Sequence, residues 1–220
     1  SLPDENGDMS LGVSVDIVRA AEAHVAVFIG KGDMSLGVSV DIVRAAVAHA
    51  KITVAQVNSL MPYVFGESLV SAADIDYLVP HDEQLLEYRL DPPDETAREI
   101  GRYVARIVRD GDTLQVGYGA IPNAILSSLG SKRDLGIHTE LLTDGVVDLI
   151  RSGAVTNAKK SLDRGKTVAS FCMGTEDTYA FLDNNPAVEF RPIDYTNSPF
   201  VISRQDSMTA INTSRSEERR

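Results

Sequence analysis

The residues most suited to chemistry in this 220-residue chain lie in a glycine turn. Residues 111–126 read GDTLQVGYGAIPNAIL, an apolar strand that runs into Gly117-Tyr118-Gly119 and then into a helix with Pro122 in its first turn. Glycines let a backbone approach a ligand closely, and the first helical turn offers unpaired N–H groups and a partial positive charge. Proline is tolerated there because its missing donor would have had no partner. The pattern favours a cradle for a phosphate or a thioester, and its plain alternative is a tight strand-to-helix connection. The candidate binding residues of the cradle are Gly117, Gly119 and Ala120.

His138 and Glu140 are two further candidates, because they lie at the end of a predicted strand at residues 135–139 and just after it. Functional groups in α/β proteins concentrate at the carboxyl ends of strands. His138 could orient a substrate carboxylate or a thioester oxygen there, and its alternative is a structural histidine bonded to the backbone. Glu140 shares the face of His138 if the strand continues. The alternative role of Glu140 is that of a charge partner for this histidine or for a lysine.

The pattern of strands and helices predicts the scaffold that holds these residues. A helix is predicted to begin after Asp91-Pro-Pro-Asp94 and to run through Arg109. Its buried stripe would consist of Ala97, Ile100, Val104, Ile107 and Val108. Strands are predicted at residues 113–116, 135–139, 166–172, 187–191 and 207–212, and shorter helices at residues 122–129, 145–151 and 176–183. The alternation predicts an α/β fold with a mixed, largely parallel sheet flanked by helices.

Composition narrows the possible partners and surroundings. The chain has 32 acidic and 21 basic residues, a formal net charge of -11, and no basic stripe, which argues against nucleic acid as a partner. An anionic ligand would therefore be held by local N–H groups and a few cations. The single cysteine, Cys172, cannot form an internal disulfide and is predicted to pack in the core. No apolar run approaches the roughly 18 residues of a membrane span, so we expect a cytoplasmic protein without membrane contacts.

A tandem copy stands near the start of the chain. Residues 7–21, GDMSLGVSVDIVRAA, recur unchanged at residues 32–46, and His24 and His49 follow at equivalent positions. Each unit is predicted to form loop, helix and strand, and residues 22–46 can be deleted without interrupting that order. Our hypothesis is that one copy packs natively while the other loops out or lies on the surface, since a longer surface loop costs only about 0.6 kcal/mol per doubling of its length. The predicted organisation is an α/β region at residues 1–213, with 22–46 as a duplicate insertion, and a polar tail at 214–220.

Several ordered motifs carry a family resemblance. They are PDENGDMSLGVSVD near the start, QVNSLMP at 56–62, DGDTLQVGYGAIPNA around the glycine turn, LGIHTELLTDGVVDLI at 135–150, FCMGTEDTYAFLDNNPAVEFRPIDYTNSP at 171–199 and MTAINTS at 208–214. Together they resemble the acetyl-CoA hydrolase/transferase family, and most of all its 4-hydroxybutyrate CoA-transferase branch. The resemblance implies a CoA-transferase-like fold, incomplete relative to the family.

The resemblance also implies a reaction. CoA would move between an acyl-CoA of the acetyl-CoA type and a small carboxylic acid such as 4-hydroxybutyrate, through a thioester on a glutamate. Acyl-CoA would be a substrate, with no metal site and no permanently bound cofactor. In a hydrolase variant, water would take the acyl group. Asn58 would lie near the acyl pocket, or else in an ordinary turn. The resemblance also implies a homo-oligomer for the full-length protein.

The end of the chain departs from the family pattern. The resemblance places the nucleophilic glutamate two residues after INTS, where this chain has Ser216, and Glu217 comes one residue late. A one-residue shift on a strand points a side chain to the opposite face. We therefore expect an inactive fragment without a catalytic residue, and a non-catalytic CoA-binding remnant is one alternative. A dinucleotide-binding module is the other, although Pro122 stands where the third glycine of its motif would be.

Overall fold

Two groups of strands form the fold, and the computed structural model describes residues 22–29 and 33–213. The strands are β1 Glu22–Ile29, β2 Asp33–Ser35, β3 Ile52–Val57, β4 Phe65–Gly66, β5 Leu69–Ser71, β6 Tyr77–Pro80, β7 Thr113–Val116, β8 Gly136–Ile137, β9 Leu141–Leu142, β10 Thr167–Ala169, β11 Phe171–Cys172, β12 Val188–Phe190 and β13 Met208–Ile211. The helices are α1 Val43–His49, α2 Glu95–Ala105, α3 Ala120–Ser127, α4 Asp144–Arg151, α5 Glu176–Leu182, α6 Ile193–Thr196 and α7 Pro199–Ile202, with a 3-10 turn at Ala72–Asp74.

The first group is a five-stranded sheet in the order β5-β2-β1-β3-β6. Strand β1 pairs in parallel with β3 and antiparallel with β2, while β3 and β6 are parallel. The second copy of the repeat is part of this region, with Met34, Leu36, Val40 and Val43 buried. The first copy, residues 7–21, lies outside the described residues, so the hypothesis that only one copy packs stays a prediction.

The second group consists of parallel strands whose carboxyl ends form one edge. Strand β7 lies between β8 and β13, and β12 lies between β10 and β4. A parallel bridge between His138 and Val168 connects β8 to β10, and β9 pairs in parallel with β11 just beyond. The predicted mixed and largely parallel α/β class is therefore confirmed. We call the line of carboxyl ends of β7, β8 and β11 the carboxyl edge.

The predicted strand at residues 166–172 is interrupted, because β10 and β11 are separate strands. The interruption falls at Ser170, where the N–H groups of Ser170 and Phe171 both donate to the carbonyl oxygen of Glu140. Two donors on one acceptor displace the chain from the regular ladder. Cys172 is buried on β11 as predicted, and burial raises the pKa of its thiol far above the usual range.

Helix α2 begins where the sequence predicts, since the Asp94 side chain accepts a hydrogen bond from the N–H of Ala97. The prediction that it continues to Arg109 is wrong. The N–H groups of Arg106 and Ile107 bond to carbonyls three residues back, which closes the helix with a tighter turn. Ile107, predicted to be in the buried stripe, is consequently 73 % exposed.

The helices flank the parallel strands and pack against one another. Gly101 of α2 faces α3 so closely that a Cβ there would lie 2.6 Å from the carbonyl oxygen of Ala124. The two helices can approach this closely only because residue 101 has no side chain. None of the helices in the described part of the chain is long and apolar enough to cross a membrane.

Candidate functional site at the carboxyl edge

The glycine turn opens at the end of β7. Gly119 has φ 123° and ψ -179°, a conformation that essentially only glycine adopts, and it forms the N-cap of α3 without a capping side chain. Ala120 and Ile121 are the first two residues of α3, and N–H groups at these positions have no partner within a helix. A Cβ at Gly119 would meet no atom within 4 Å, so this side of the turn is open.

Gly117 is a glycine for a different reason than the sequence suggested. A Cβ at Gly117 would lie 2.4 Å from Oδ1 of Asn212, and its N–H donates to the carbonyl oxygen of Ile211 at 2.7 Å. The close approach that we expected from a ligand is therefore made by the chain that follows β13. Whether Gly117, Gly119 and Ala120 bind a ligand stays a prediction.

Glu140 lies on the same carboxyl edge, next to the turn. The Thr139 hydroxyl accepts a hydrogen bond from the N–H of Val116 at 3.0 Å and donates one to its carbonyl oxygen at 2.9 Å. These two hydrogen bonds connect Thr139, which precedes Glu140, to Val116, which precedes Gly117. The Glu140 carboxylate accepts a hydrogen bond from Nδ2 of Asn197 at 2.8 Å. Among the described residues its partner is this neutral amide, and no histidine or lysine of that part of the chain forms an ion pair with it.

His138 is fully buried, and its contacts are those of a structural histidine. Its Nε2 lies 3.0 Å from the carbonyl oxygen of Thr196, and its ring packs against Tyr195 with the centroids 5.9 Å apart. Burial lowers the pKa of His138 despite that hydrogen bond, so the imidazole is neutral at pH 7 and Nε2 carries the donated proton. Within the described residues its Nδ1 has no partner. A ligand-binding role for His138 stays a prediction, but the side chain has no exposed surface for it.

Asn58 anchors a segment that crosses the carboxyl edge. This segment consists of residues 83–92, and we call it the strap. The Asn58 Nδ2 donates to the carbonyl oxygen of Glu83 at 2.7 Å, and its Oδ1 accepts the N–H of Leu60 at 3.0 Å. Asn58 is 2 % exposed, so the structure places it as an anchor of the strap rather than at an open surface. Its predicted ligand-binding role remains a prediction.

The strap continues from this anchor to the glycine turn. The Tyr179 hydroxyl donates to the carbonyl oxygen of Leu86 at 2.9 Å, and the N–H of Tyr88 donates to that of Gly174 at 2.9 Å. The ring of Tyr88 then packs against the ring of Tyr118 with the centroids 5.3 Å apart. Sequence analysis missed the strap, because its residues form no regular secondary structure.

Two cavities flank the strap. The first, which we call the acidic cavity, has a volume of about 370 Å³ and lies between the strap, the turn after β3 and helix α5. Its acidic lining residues are Glu87, Glu176 and Asp183, and its apolar ones include Leu60, Met61, Pro62 and Leu85. Glu176 and Asp183 oppose the binding of an anion, while the charge of Glu87 is partly compensated by its ion pair with Arg89. The segment expected near the acyl pocket therefore borders a cavity that suits neither a carboxylate nor a phosphate.

The second cavity, of about 410 Å³, lies beside the glycine turn. Its walls are the end of the strap, the start of α2 and the first two residues of α3, Ala120 and Ile121. We call it the helix-end cavity. Ala120, one of the predicted binding residues, lines this cavity.

Lys160 is a buried cation that sequence analysis did not identify. It is 1 % exposed, and its ammonium group donates to the carbonyl oxygens of Ile137 at 2.8 Å and Lys166 at 2.7 Å. Burial lowers its pKa from 10.5 to about 8. Gly136 makes room for it, since a Cβ there would lie 2.5 Å from Cγ of Lys160. In sequence the Lys159-Lys160 pair resembles an ordinary solvated pair, and no local pattern marks Lys160 as buried.

The described residues hold no group of three or more His, Cys, Asp or Glu side chains placed to bind a metal ion. The acidic residues around Arg191 are engaged instead. Its guanidinium contacts Glu67 at 2.9 Å and Glu189 at 2.7 Å, and Asp163 accepts a hydrogen bond from Tyr195 at 2.8 Å. This network closes the side of the sheet formed by β4 and β12.

Comparison with known proteins identifies the family. The model of the acetyl-CoA hydrolase/transferase N-terminal domain matches residues 25–87, and that of the C-terminal domain matches residues 174–216. The 4-hydroxybutyrate coenzyme A transferase of Clostridium kluyveri is 45% identical over 215 residues, which cover 97% of this chain and 44% of that protein. The chain belongs to the acetyl-CoA hydrolase/transferase family. A succinyl-CoA:acetate/propanoyl-CoA:succinate CoA transferase of Fasciola hepatica is 43% identical over 96% of this chain and 39% of its own length.

Two solved structures are similar to this chain over most of its length. RipA from Yersinia pestis superposes with a TM-score of 0.84 at 38% identity, over 87% of this chain and 45% of RipA. The 4-hydroxybutyrate CoA-transferase of Porphyromonas gingivalis superposes with a TM-score of 0.83 at 41% identity, over 87% and 49%. The chain thus spans less than half the length of these relatives. Ser216 and Glu217, on which the expectation of inactivity rests, lie outside the described residues.

Proposed function

We propose that this chain carries part of the active site of a CoA-transferase, which moves CoA between an acyl-CoA and a small carboxylic acid such as 4-hydroxybutyrate. One observation supports this most. Thr139, the residue before Glu140, is hydrogen-bonded to Val116, the residue before the open glycine turn, so a carboxylate and the turn belong to neighbouring strand ends. The names of the relatives, which include 4-hydroxybutyrate, succinate and acetate transferases, support the same class of substrates.

In this proposal, Glu140 supplies the carboxylate of the relay in place of the glutamate that the family resemblance expects at position 216, so the chain is not the inactive fragment expected from its sequence. One carboxylate oxygen attacks the thioester carbonyl, which forms a mixed anhydride and releases CoA thiolate. The thiolate then attacks the glutamyl carbonyl, so that the first carboxylic acid leaves as its carboxylate and the glutamyl-CoA thioester remains. The second acid reverses both steps. N–H groups at the start of α3 would stabilise the oxyanion in each addition.

Asn197 gives Glu140 a suitable environment for this role. An amide donor at 2.8 Å orients the carboxylate through one oxygen and leaves the other oxygen available for attack. A neutral partner also stabilises the anion less than an ion pair would, so the carboxylate keeps more of its nucleophilicity. The half-buried position of Glu140 excludes part of the competing water.

The second candidate function is a non-catalytic CoA-binding remnant. It is favoured by Ser216, which stands where the family resemblance places the nucleophilic glutamate. In that case Glu140 only holds Asn197, and the chain binds acyl-CoA without turnover. A hydrolase, in which water takes the acyl group from the enzyme, is the remaining variant.

Peptide mapping after incubation with acetyl-CoA separates these possibilities. We expect a CoA adduct on the peptide that contains Glu140, absent in Glu140→Gln and present in the matched Glu217→Gln variant. An adduct on Glu217 instead would move the relay to the tail. Acetyl-CoA binding in calorimetry without any adduct would support the remnant, and release of acetate without transfer to 4-hydroxybutyrate would support the hydrolase. Absence of both binding and adduct would refute the proposal.

A further inference from the structure

His138 is a buried group that the proposed relay leaves unused. Among the described residues its ring makes one hydrogen bond, which Nε2 donates to the carbonyl oxygen of Thr196 at 3.0 Å. The other ring nitrogen, Nδ1, has no partner in that part of the chain. An unpaired buried nitrogen destabilises a fold, and an apolar side chain of similar size would avoid this cost. The hydrogen bond to Thr196 therefore calls for an explanation.

Thr196 closes a single helical turn next to Glu140. Helix α6, Ile193–Thr196, is only four residues long, and one turn is not stable without contacts to the rest of the fold. The end of this turn is held at two points. His138 donates to the Thr196 carbonyl, and the hydroxyl groups of Thr196 and Ser170 share a hydrogen bond. Thr196 is 2 % exposed, so both hydrogen bonds are shielded from water.

These contacts lead back to Glu140 along two routes. Asn197 follows Thr196 directly, and its side-chain amide donates to the Glu140 carboxylate at 2.8 Å. On the other route, the N–H of Ser170 donates to the main-chain carbonyl of Glu140 at 2.8 Å. His138 itself precedes Glu140 by two residues. A closed ring of hydrogen bonds and peptide bonds therefore joins the imidazole to the carboxylate, and it determines where the Asn197 amide lies.

On the basis of the proposed function, we infer that His138 is a positioning residue for the relay carboxylate. It contacts no substrate, because its side chain is fully buried. It holds the end of α6, so that the Asn197 amide binds one oxygen of Glu140 and directs the other oxygen toward the thioester. A rigid imidazole with a single donor suits this task, since a misplacement of about 1 Å can slow a reaction about a hundredfold.

Substitutions of His138 with and without a donor test this role. Glutamine can place an amide N–H near the position of Nε2, whereas leucine has no donor. We expect His138→Leu to slow formation of the Glu140 adduct from saturating acetyl-CoA by about tenfold or more, with the dissociation constant of acetyl-CoA unchanged. His138→Gln should restore most of the rate. In an Asn197→Ala background, His138→Leu should cause little further loss, because the amide through which His138 acts is already gone.

A second readout does not depend on activity. In two-dimensional amide NMR spectra, the side-chain signals of Asn197 are assigned by their loss in Asn197→Ala, and Glu140→Ala gives their position without the carboxylate. We expect His138→Leu to move these signals toward that position and His138→Gln to leave them near the wild-type position. Val155→Ala is the matched control, because Val155 is buried and pairs with Leu135 at the opposite end of β8. It should leave both the adduct rate and the Asn197 signals unchanged.

The outcomes separate this inference from the proposed function. If the wild type forms the Glu140 adduct, an unchanged adduct rate or unchanged Asn197 signals in His138→Leu would refute the positioning role and leave the relay intact. Equal losses in His138→Leu and His138→Gln, or an undiminished loss in the Asn197→Ala background, would also overturn it. Absence of the Glu140 adduct in the wild type would refute the proposed function and this inference with it.

Ser170→Ala keeps the inference testable if His138→Leu does not fold. This variant removes the other hydrogen bond that holds the end of α6. We expect it to move the Asn197 signals in the direction of Glu140→Ala and to slow adduct formation. Signals and a rate like those of the wild type would show that the end of α6 needs no anchor at the carboxyl edge, and the positioning role would be wrong.

Discussion

Lys160 shows, at the scale of a single residue, how burial couples charge to stability. Its ammonium group is enclosed, with its pKa lowered to about 8, whereas an unfolded chain keeps a lysine near its ordinary value. Between these two pKa values the unfolded state binds more protons at this position than the folded state. Folding stability contributed by Lys160 therefore rises with pH in this window, by up to about 1.4 kcal/mol per pH unit.

The variant Lys160→Met isolates this effect, because it removes the titrating group and keeps a chain of similar length. We expect the free energy of unfolding of the wild type, measured in urea, to increase relative to that of the variant as the pH rises from about 8 to 10. The two proteins will also differ in stability at every pH, because the carbonyls of Ile137 and Lys166 lose their hydrogen bonds in the variant. This constant difference does not affect how the free energy of unfolding changes with pH. If the free energies of unfolding of wild type and variant changed equally with pH, Lys160 would have the same pKa in the folded and unfolded states, and this prediction would be wrong.

The roles of individual residues were the feature that the sequence predicted least well. The sequence placed His138 and Glu140 at the end of a strand, which is where they lie, but it could not choose among their partners. Those partners, Thr196 and Asn197, are 57 or more positions away along the chain and meet the edge only through the packing of α6. Burial of Lys160 likewise depends on long-range packing. Residue type and local spacing therefore suggested candidates, and the tertiary contacts decided their roles.

At the scale of secondary-structure elements, the two glycines of the turn are required for different physical reasons. We expect Gly117→Ala to destabilise the fold by about 1–3 kcal/mol, because its Cβ would overlap Oδ1 of Asn212. Asn212→Ala removes that oxygen, so the cost of Gly117→Ala should be smaller in the Asn212→Ala background. Gly119→Ala provides the contrast, since its cost of about 1–3 kcal/mol comes from the backbone conformation and should not depend on Asn212.

Urea unfolding of the two double-mutant cycles measures these couplings. A cycle for Gly117 and Asn212 with no coupling would show that the strand end is free to move away, and the intramolecular explanation of this glycine would then be wrong. A coupling of Gly119 to Asn212 would mean that the two glycines act as one unit.

The elements themselves were predictable to the extent that local signals define them. Strand β7 agrees with its predicted span, and the start of α2 follows from the capping residue Asp94. The end of α2 and the break at Ser170 were not predictable, because each depends on hydrogen bonds that neither pattern nor composition encodes. The strap was missed for the same reason. It is held by Asn58 after β3, by Tyr179 of α5 and by the carbonyl of Gly174 after β11, and not by a periodic pattern of its own.

At the scale of the whole molecule, the tandem repeat raises the question of which copy packs in the sheet. In sequence, β1 follows the first copy and precedes the second, and it pairs with β2, which belongs to the second copy, and with β3, which follows it. The sheet therefore needs β1 on the amino-terminal side of the copy that is packed. The second copy satisfies this condition, because β1 directly precedes it in the chain.

Matched substitutions in the two copies test this asymmetry. Leu36 is 2 % exposed in the second copy, so Leu36→Ala should destabilise the protein by about 2–5 kcal/mol. Its equivalent in the first copy is Leu11, and we expect Leu11→Ala to change stability by no more than about 0.5 kcal/mol. The comparison uses identical residues in identical local sequence, so intrinsic propensity cancels and only the packed environment differs. Equal losses in urea unfolding would show that both copies are packed, and the topological role assigned to β1 would have to be abandoned.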